Sequence, residues 1–208
     1  MGVVFTAWDY GVTNLELSAF VVAIIAVWLA STGTRWAWPF YFVSAFLYAW
    51  LFVEVDLVAS AALQMIFMVA AVWGWFTWGR DGVSSPKTLD VKWRIAIVVV
   101  GFVVWLGLMP VLSSIGAAAT LLDAFVLVGS VAAQVLMVKG FVEAWAAWVV
   151  VNVVGTYHYA SQQLYFTSLL YFVLLVLAVW GWWQWSQKST TSQTSPHALP
   201  AADSRDSS

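Results

Sequence analysis

Long apolar windows alternate along the chain with short polar connections. Seven windows of spanning length recur, at about 14–31, 36–53, 58–79, 94–112, 120–138, 141–159 and 163–185. Each is close to the ~17–25 residues a helix needs to cross ~30 Å of hydrocarbon. The apolar runs are continuous, as in 95–105 and 169–180, whereas barrel strands would alternate. Lipid also requires backbone N–H and C=O groups to be paired within the segment, which favours helix. The pattern predicts an all-α integral membrane protein with seven transmembrane helices. Residues 1–13 form an outer N-terminal segment without Lys or Arg, so they lack the basic flank of a signal peptide. Residues 80–93 form a polar cytoplasmic loop. Residues 186–208, rich in Ser, Thr, Gln, Pro and Ala, are expected to be a disordered cytoplasmic tail.

Composition strengthens this picture. Of 208 residues, 63% are apolar, and only eight basic and ten acidic residues are present. A soluble domain carries about 25% charged residues, so a cytosolic enzyme is excluded. A net charge of −2 offers no basic field for nucleic acid. With no Cys and two His, thiolate chemistry is absent and little remains for haem or zinc, so no cofactor is expected. Charge placement predicts orientation. With the N-terminus outside, Arg35, Arg80, Lys87, Lys92, Arg94, Lys139, Lys188 and Arg205 all fall on the cytoplasmic side. Asp9, Glu54 and Asp56 fall on the other side, an N-out/C-in arrangement by the positive-inside rule.

The chain also matches itself at an offset of 107 residues. Residues 14–78 then align with 121–185 without a gap, pairing Gly33 with Gly140 and Trp38 with Trp145. The match ends in Trp73-Gly74-Trp75-x-x-Trp78 against Trp180-Gly181-Trp182-x-x-Trp185, and Glu16 falls on Asp123. Two repeats, 14–79 and 120–185, joined by a linker helix at 94–112, give a 3+1+3 arrangement. Halves of three helices separated by one more helix run parallel. Parallel repeats of this kind belong to transporters, with sites at the repeat interface.

Helical spacing sets candidate residues on shared faces. Gln64, Trp75 and Trp78 share a stripe on the third span, and Tyr171, Trp182 and Trp185 occupy the equivalent stripe on the seventh. On the sixth, Trp145, Trp148, Asn152, Thr156 and Tyr159 line up. Asn152 is the most informative, because a mid-span amide needs partners or costs several kcal/mol; it is either a ligand contact or interhelical glue. Gln64 poses the same choice, and Gln134 reads as structural. Trp78 and Trp185 suit an interfacial belt, while Trp75 and Trp182, one turn deeper, suit a permeation path. Stacked aromatics favour a flat ring or an organic cation. Glu16 and Asp123 suit helix starts, and His158 an interfacial position. No charged residue lies deep in a span, which favours facilitated diffusion over ion coupling.

In these motifs the sequence resembles the PnuC family of vitamin transporters. The likeness rests on Gln64-x-x-Phe67 with Gly74-Trp75-x-x-Trp78, then on Asn152, Tyr157, Leu164-Tyr165-x-Thr167-x-x-Leu170-Tyr171 and Gly181-Trp182-x-x-Trp185. It covers about residues 14–185. The resemblance implies a SWEET-like fold, a homotrimer in the bacterial cytoplasmic (inner) membrane, and uptake of a B-type vitamin or its nucleoside form, nicotinamide riboside first. A cytoplasmic kinase would trap the cargo. It places Gln64, Trp75, Trp78, Asn152, Tyr157, Tyr171, Trp182 and Trp185 on the substrate path. Many relatives that move nicotinamide riboside carry Lys-Gly before the Leu-Tyr of the seventh span; here Gln162-Gln163 stand there, which keeps thiamin and riboflavin open as cargo. A SWEET-like sugar carrier would need more hydrogen-bonding side chains. A retinal protein would need a Lys within 163–185, and a nucleotide-driven pump would need a phosphate-binding Gly-rich loop; neither feature is in the sequence.

Overall fold

Helices this apolar on all sides must bury their surfaces against lipid and one another. The computed structural model describes residues 3–7, 10–54, 58–114 and 121–194. Each predicted window holds one helix: α1 Asn14–Thr32, α2 Ala37–Glu54, α3 Val58–Thr77, α4 Val91–Ser114, α5 Leu121–Val138, α6 Glu143–Ser161 and α7 Tyr165–Thr194. Five of them, α1, α2, α4, α5 and α7, are long and apolar enough to cross a membrane. The described apolar stretch of α3, Ala61–Thr77, is shorter, and α6 carries Asn152, Thr156 and His158 among its apolar residues.

One expectation at the chain ends is corrected, and the other end gains structure. The N-terminal segment contains an antiparallel hairpin of β1 (Val3–Ala7) and β2 (Tyr10–Thr13). Its Val and Phe residues suit a strand, and Val12 is fully buried. The region taken as tail begins as helix, because α7 continues to Thr194. Lys188 Nζ there donates to the Thr32 carbonyl at 2.7 Å, and Ser189 is buried. Asp9 and Asp56, and the tail from 195 onward with Arg205, lie outside the described residues.

Six helices form a ring. α2 packs between α1 and α3, and α6 between α5 and α7. The ring closes where α1 meets α7 and α3 meets α5, while α4 packs on α5 from outside. No residue of Val91–Leu108 is buried. Trp105 Nε1 ties α4 to the start of α5 through the Leu121 carbonyl at 2.9 Å.

One end of the ring is sealed by four tryptophans. Trp38, Trp145 and Trp185 are at most 1% exposed, and Trp78 is buried beside them. Their rings meet in a chain: Trp38–Trp78 at 4.9 Å, Trp78–Trp185 at 5.8 Å and Trp185–Trp145 at 5.6 Å. The outer two contacts are edge-to-face, the arrangement the ring quadrupole favours. Trp38 lies against Gly74, and Trp145 against Gly181, where any Cβ would overlap the indole. Gly74→Ala or Gly181→Ala is therefore expected to cost about 1–3 kcal/mol through overpacking. Thermal unfolding in detergent reads this directly, and an unchanged midpoint would contradict it.

The 80–93 connection does more than divide the chain. Val83 N–H donates to the Gly33 carbonyl at 2.8 Å. Lys87 N–H donates to the Gly140 carbonyl, and Val142 N–H to the Lys87 carbonyl, each at 2.9 Å. Gly33 and Gly140 occupy matching left-handed turns, with φ of 85° and 74°. The loop thus ties two equivalent corners at the sealed end.

Candidate functional site: a cavity inside the helix ring

Inside the ring lies a cavity of about 540 Å³, within the ~300–1,000 Å³ usual for small-molecule sites. It begins at a mouth formed by Glu16 and Asp123, in the first turns of α1 and α5, with Gln162 and Leu164 of the α6–α7 turn. It ends on Trp145 and Ala178, against the tryptophan seal.

Helical spacing explains the walls. On α2, Tyr41, Ala45, Tyr48 and Phe52 recur every three or four residues and all line the cavity. On α6, Trp145, Trp148, Asn152 and, two turns on, Tyr159 line it from one face. Tyr48 stacks on Phe52 at 5.9 Å, and Tyr159 leans on Tyr171 at 5.0 Å. Tyr171 fits because Gly155 has no Cβ; its ring fills that space.

The polar groups are few. Asn152 is 2% exposed, and its Oδ1 has no hydrogen-bond partner among the described residues. The Nε1 atoms of Trp145 and Trp148 are likewise buried without an acceptor. An unpaired buried acceptor costs roughly 1–3 kcal/mol, so one acceptor and two donors stand ready for a guest. At the mouth, Glu16 follows an N-cap in which Thr13 Oγ1 accepts from the Glu16 N–H at 3.2 Å. Asp123 Oδ1 lies 2.7 Å from His158 Nε2, which is also 2.8 Å from Gln162 Nε2. His158 is 2% exposed, so it is a packed partner of Asp123 rather than an interfacial side chain. Among the described residues lining the cavity there is no Lys or Arg.

Of the eight residues the sequence proposed, Gln64, Asn152 and Tyr171 line the cavity together. Five do not. Tyr157 is 69% exposed and Trp182 is 42% exposed, on the outer surface of the ring. Trp75 sits at the sealed end, edge-on to Trp36 at 5.4 Å and beneath the Arg35 guanidinium at 3.5 Å. Trp78 and Trp185 are neither belt nor lining. The last carbonyls of a helix lack intrahelical partners, and these two indoles supply donors. Trp78 Nε1 donates to Met137 and Val138 carbonyls at the end of α5, both at 3.2 Å. Trp185 Nε1 donates to the Ser31 carbonyl at the end of α1 at 3.0 Å. Ser31 and Val138 are themselves 107 residues apart, so the two bonds are the same bond made twice across the seam.

Sequence reasoning missed Ser130 and Gln134, both lining and 4% exposed. Their seven- and eleven-residue spacing from Asp123 would have placed all three on one face of α5. It also took Glu16 and Asp123 as helix-start residues alone.

A ring of apolar helices around a ligand-sized, partly unsatisfied cavity is the architecture of a multi-pass membrane transporter. The family profile described as "Nicotinamide mononucleotide transporter" matches residues 13–187, and the chain belongs to this family, the PnuC transporters. The chain is 26% identical over 206 residues to the nicotinamide riboside transporter PnuC of Escherichia coli (strain K12), covering 83% of this chain and 84% of that one. It is 28% identical over 167 residues to the riboflavin/roseoflavin transporter RibM of Streptomyces davaonensis, covering 73% and 74%. The crystal structure of the vitamin B3 transporter PnuC shares the fold, with a TM-score of 0.74 at 24% identity, covering 85% of this chain and 82% of that one.

Proposed function

We propose that the protein carries nicotinamide riboside across the bacterial cytoplasmic (inner) membrane by facilitated diffusion, and that a cytoplasmic kinase traps the cargo. The observation that carries this reading is the unpaired Asn152 Oδ1 on the wall of an aromatic cavity. A flat cationic ring suits tyrosine and tryptophan faces. The acidic mouth of Glu16 and Asp123, with no lysine or arginine among the lining residues, attracts cations and opposes phosphate. That favours the riboside over the mononucleotide. The absence of charge below the mouth supports passive passage.

The proposed architecture is the 3+1+3 parallel repeat, SWEET-like, N-out and C-in, with halves 14–79 and 120–185 around the linker 94–112. The reciprocal indole bonds and the meeting of α3 and α7 ends at Trp78–Trp185 support it. A homotrimer is part of the proposal, and the unburied length of α4 leaves an apolar face for it. Asn152, Gln64 and Tyr171 are the proposed substrate contacts.

Riboflavin is the second reading, favoured by the relationship to RibM. Thiamin, also an aromatic cation, fits the same mouth, whereas a sugar lacks a flat aromatic ring to stack on these walls. Tryptophan fluorescence of the purified protein, titrated with nicotinamide riboside, its mononucleotide, thiamin and riboflavin, separates these. The riboside should bind and the mononucleotide should not. Equal binding of both would end the acidic-mouth argument, and riboflavin binding alone would install the second reading.

A further inference from the structure

The duplication allows the cavity walls to be compared position by position. In ring order, α1 stands opposite α5, since two helices separate them on either side. Each carries one lining column with identical spacing. On α1 it is Glu16, Ala23 and Val27; on α5 it is Asp123, Ser130 and Gln134. The mouth residues match in charge. Below them the columns diverge, because the two apolar side chains of α1 face a hydroxyl and an amide on α5. Ser130 and Gln134 are 4% exposed each, so two polar groups have been placed where the first repeat needed none.

The same bias appears one helix on. The repeat mate of Asn152 is Ala45, and both line the cavity. α5 and α6 approach so closely that a Cβ on Gly129 would stand 2.7 Å from Val151. Ser130 and Asn152 each follow one of those contact residues, so on these oppositely running helices they lie about 3 Å apart in height. Ser130, Gln134 and Asn152 therefore place three hydrogen-bonding side chains on two adjacent helices lining the cavity. The equivalent positions of the first repeat hold Ala23, Val27 and Ala45; that repeat's lining hydroxyl, Ser44, donates to the Ala19 carbonyl at 3.3 Å, and its lining amide, Gln64, stands on α3.

We propose that this asymmetry orients the solute and sets its specificity: Ser130 and Gln134 bind the hydroxyl-bearing sugar portion, while the ring packs toward the apolar and aromatic side. The proposal rests on the cavity being the transport site, but not on which ring is carried. Uncharged hydroxyls suit a neutral hydroxyl and amide, which can each donate and accept. Removing such a partner leaves the sugar hydroxyl unpaired, a loss of about five- to tenfold in affinity.

The test compares a sugar-bearing ligand with its sugar-free analogue on the purified full chain. Nicotinamide riboside is paired with N1-methylnicotinamide, which keeps the cationic ring and replaces ribose by methyl. If riboflavin is the cargo, it is paired with lumiflavin. Ser130→Ala and Gln134→Leu should each cut affinity for the sugar-bearing ligand about five- to tenfold. Affinity for the analogue should stay within about twofold, which also shows that the variant is folded. Val27→Leu should leave the ratio of the two affinities unchanged. Ser130→Ala removes a single oxygen and keeps the test decisive if Gln134→Leu fails to fold. A ratio unchanged in Ser130→Ala, or parallel loss of both ligands, overturns the proposal. Failure of both sugar-bearing ligands to bind the wild-type chain instead removes the cargo reading, and this one with it.

Discussion

Asn152→Leu is expected to weaken substrate binding roughly 10–100-fold while leaving the fold intact. The Asn152 side chain is 2% exposed, faces the cavity and has an Oδ1 without a partner. A substrate donor reaching that oxygen gains a bond in a water-poor site, and losing it there costs about 1–3 kcal/mol, with each 1.4 kcal/mol worth tenfold. The effect on the empty protein has the opposite sign. Leu removes a desolvated, unpaired acceptor, so the ligand-free thermal midpoint should hold or rise. Fluorescence titration and thermal unfolding together separate the two roles. Unchanged affinity with a lowered midpoint would make Asn152 interhelical glue and take it out of the site.

Trp185→Phe should have the largest effect on stability, about 2–3 kcal/mol. The side chain is fully buried, rests against Trp78 and Trp145, and donates to the Ser31 carbonyl. Phe leaves a void beside Trp145 and orphans a carbonyl at the end of α1. Trp78→Phe repeats the injury at the end of α5, where the Met137 and Val138 carbonyls lose their donor. Because the two rings touch, the double variant should differ from the sum of the singles. Thermal midpoints in detergent give all three values. Neutral single variants would mean that the seam between the halves is held by something other than these indoles.

The helices and the duplication were legible because both rest on patterns longer than any one contact. Continuous apolar runs permit only helices in lipid, and the two W-G-W-x-x-W ends keep one register. The facing of individual side chains was less legible. In a helix apolar on all sides, no polar stripe says which face turns inward, so Trp182 and Tyr157 were assigned to the path and lie on the outside. Asn152, Gln64 and Tyr171 do face the cavity, as mid-helix polar groups must point inward. Gln134 failed that logic by lying near a helix end, although its repeat mate Val27 marked it as a departure. Trp78 and Trp185 were misassigned because sequence shows an indole but not the carbonyl it serves. The N-terminal hairpin left no signal beyond a few β-branched residues.

In the proposed mechanism a closed-ended cavity between two like halves passes a flat cation without a coupled ion. Solute counterflow in liposomes tests it most directly. Vesicles holding the purified protein and preloaded with unlabelled nicotinamide riboside should transiently accumulate the labelled compound with no ion gradient imposed, and Asn152→Leu vesicles should not. Accumulation that appears only when a proton or sodium gradient is applied would contradict the account.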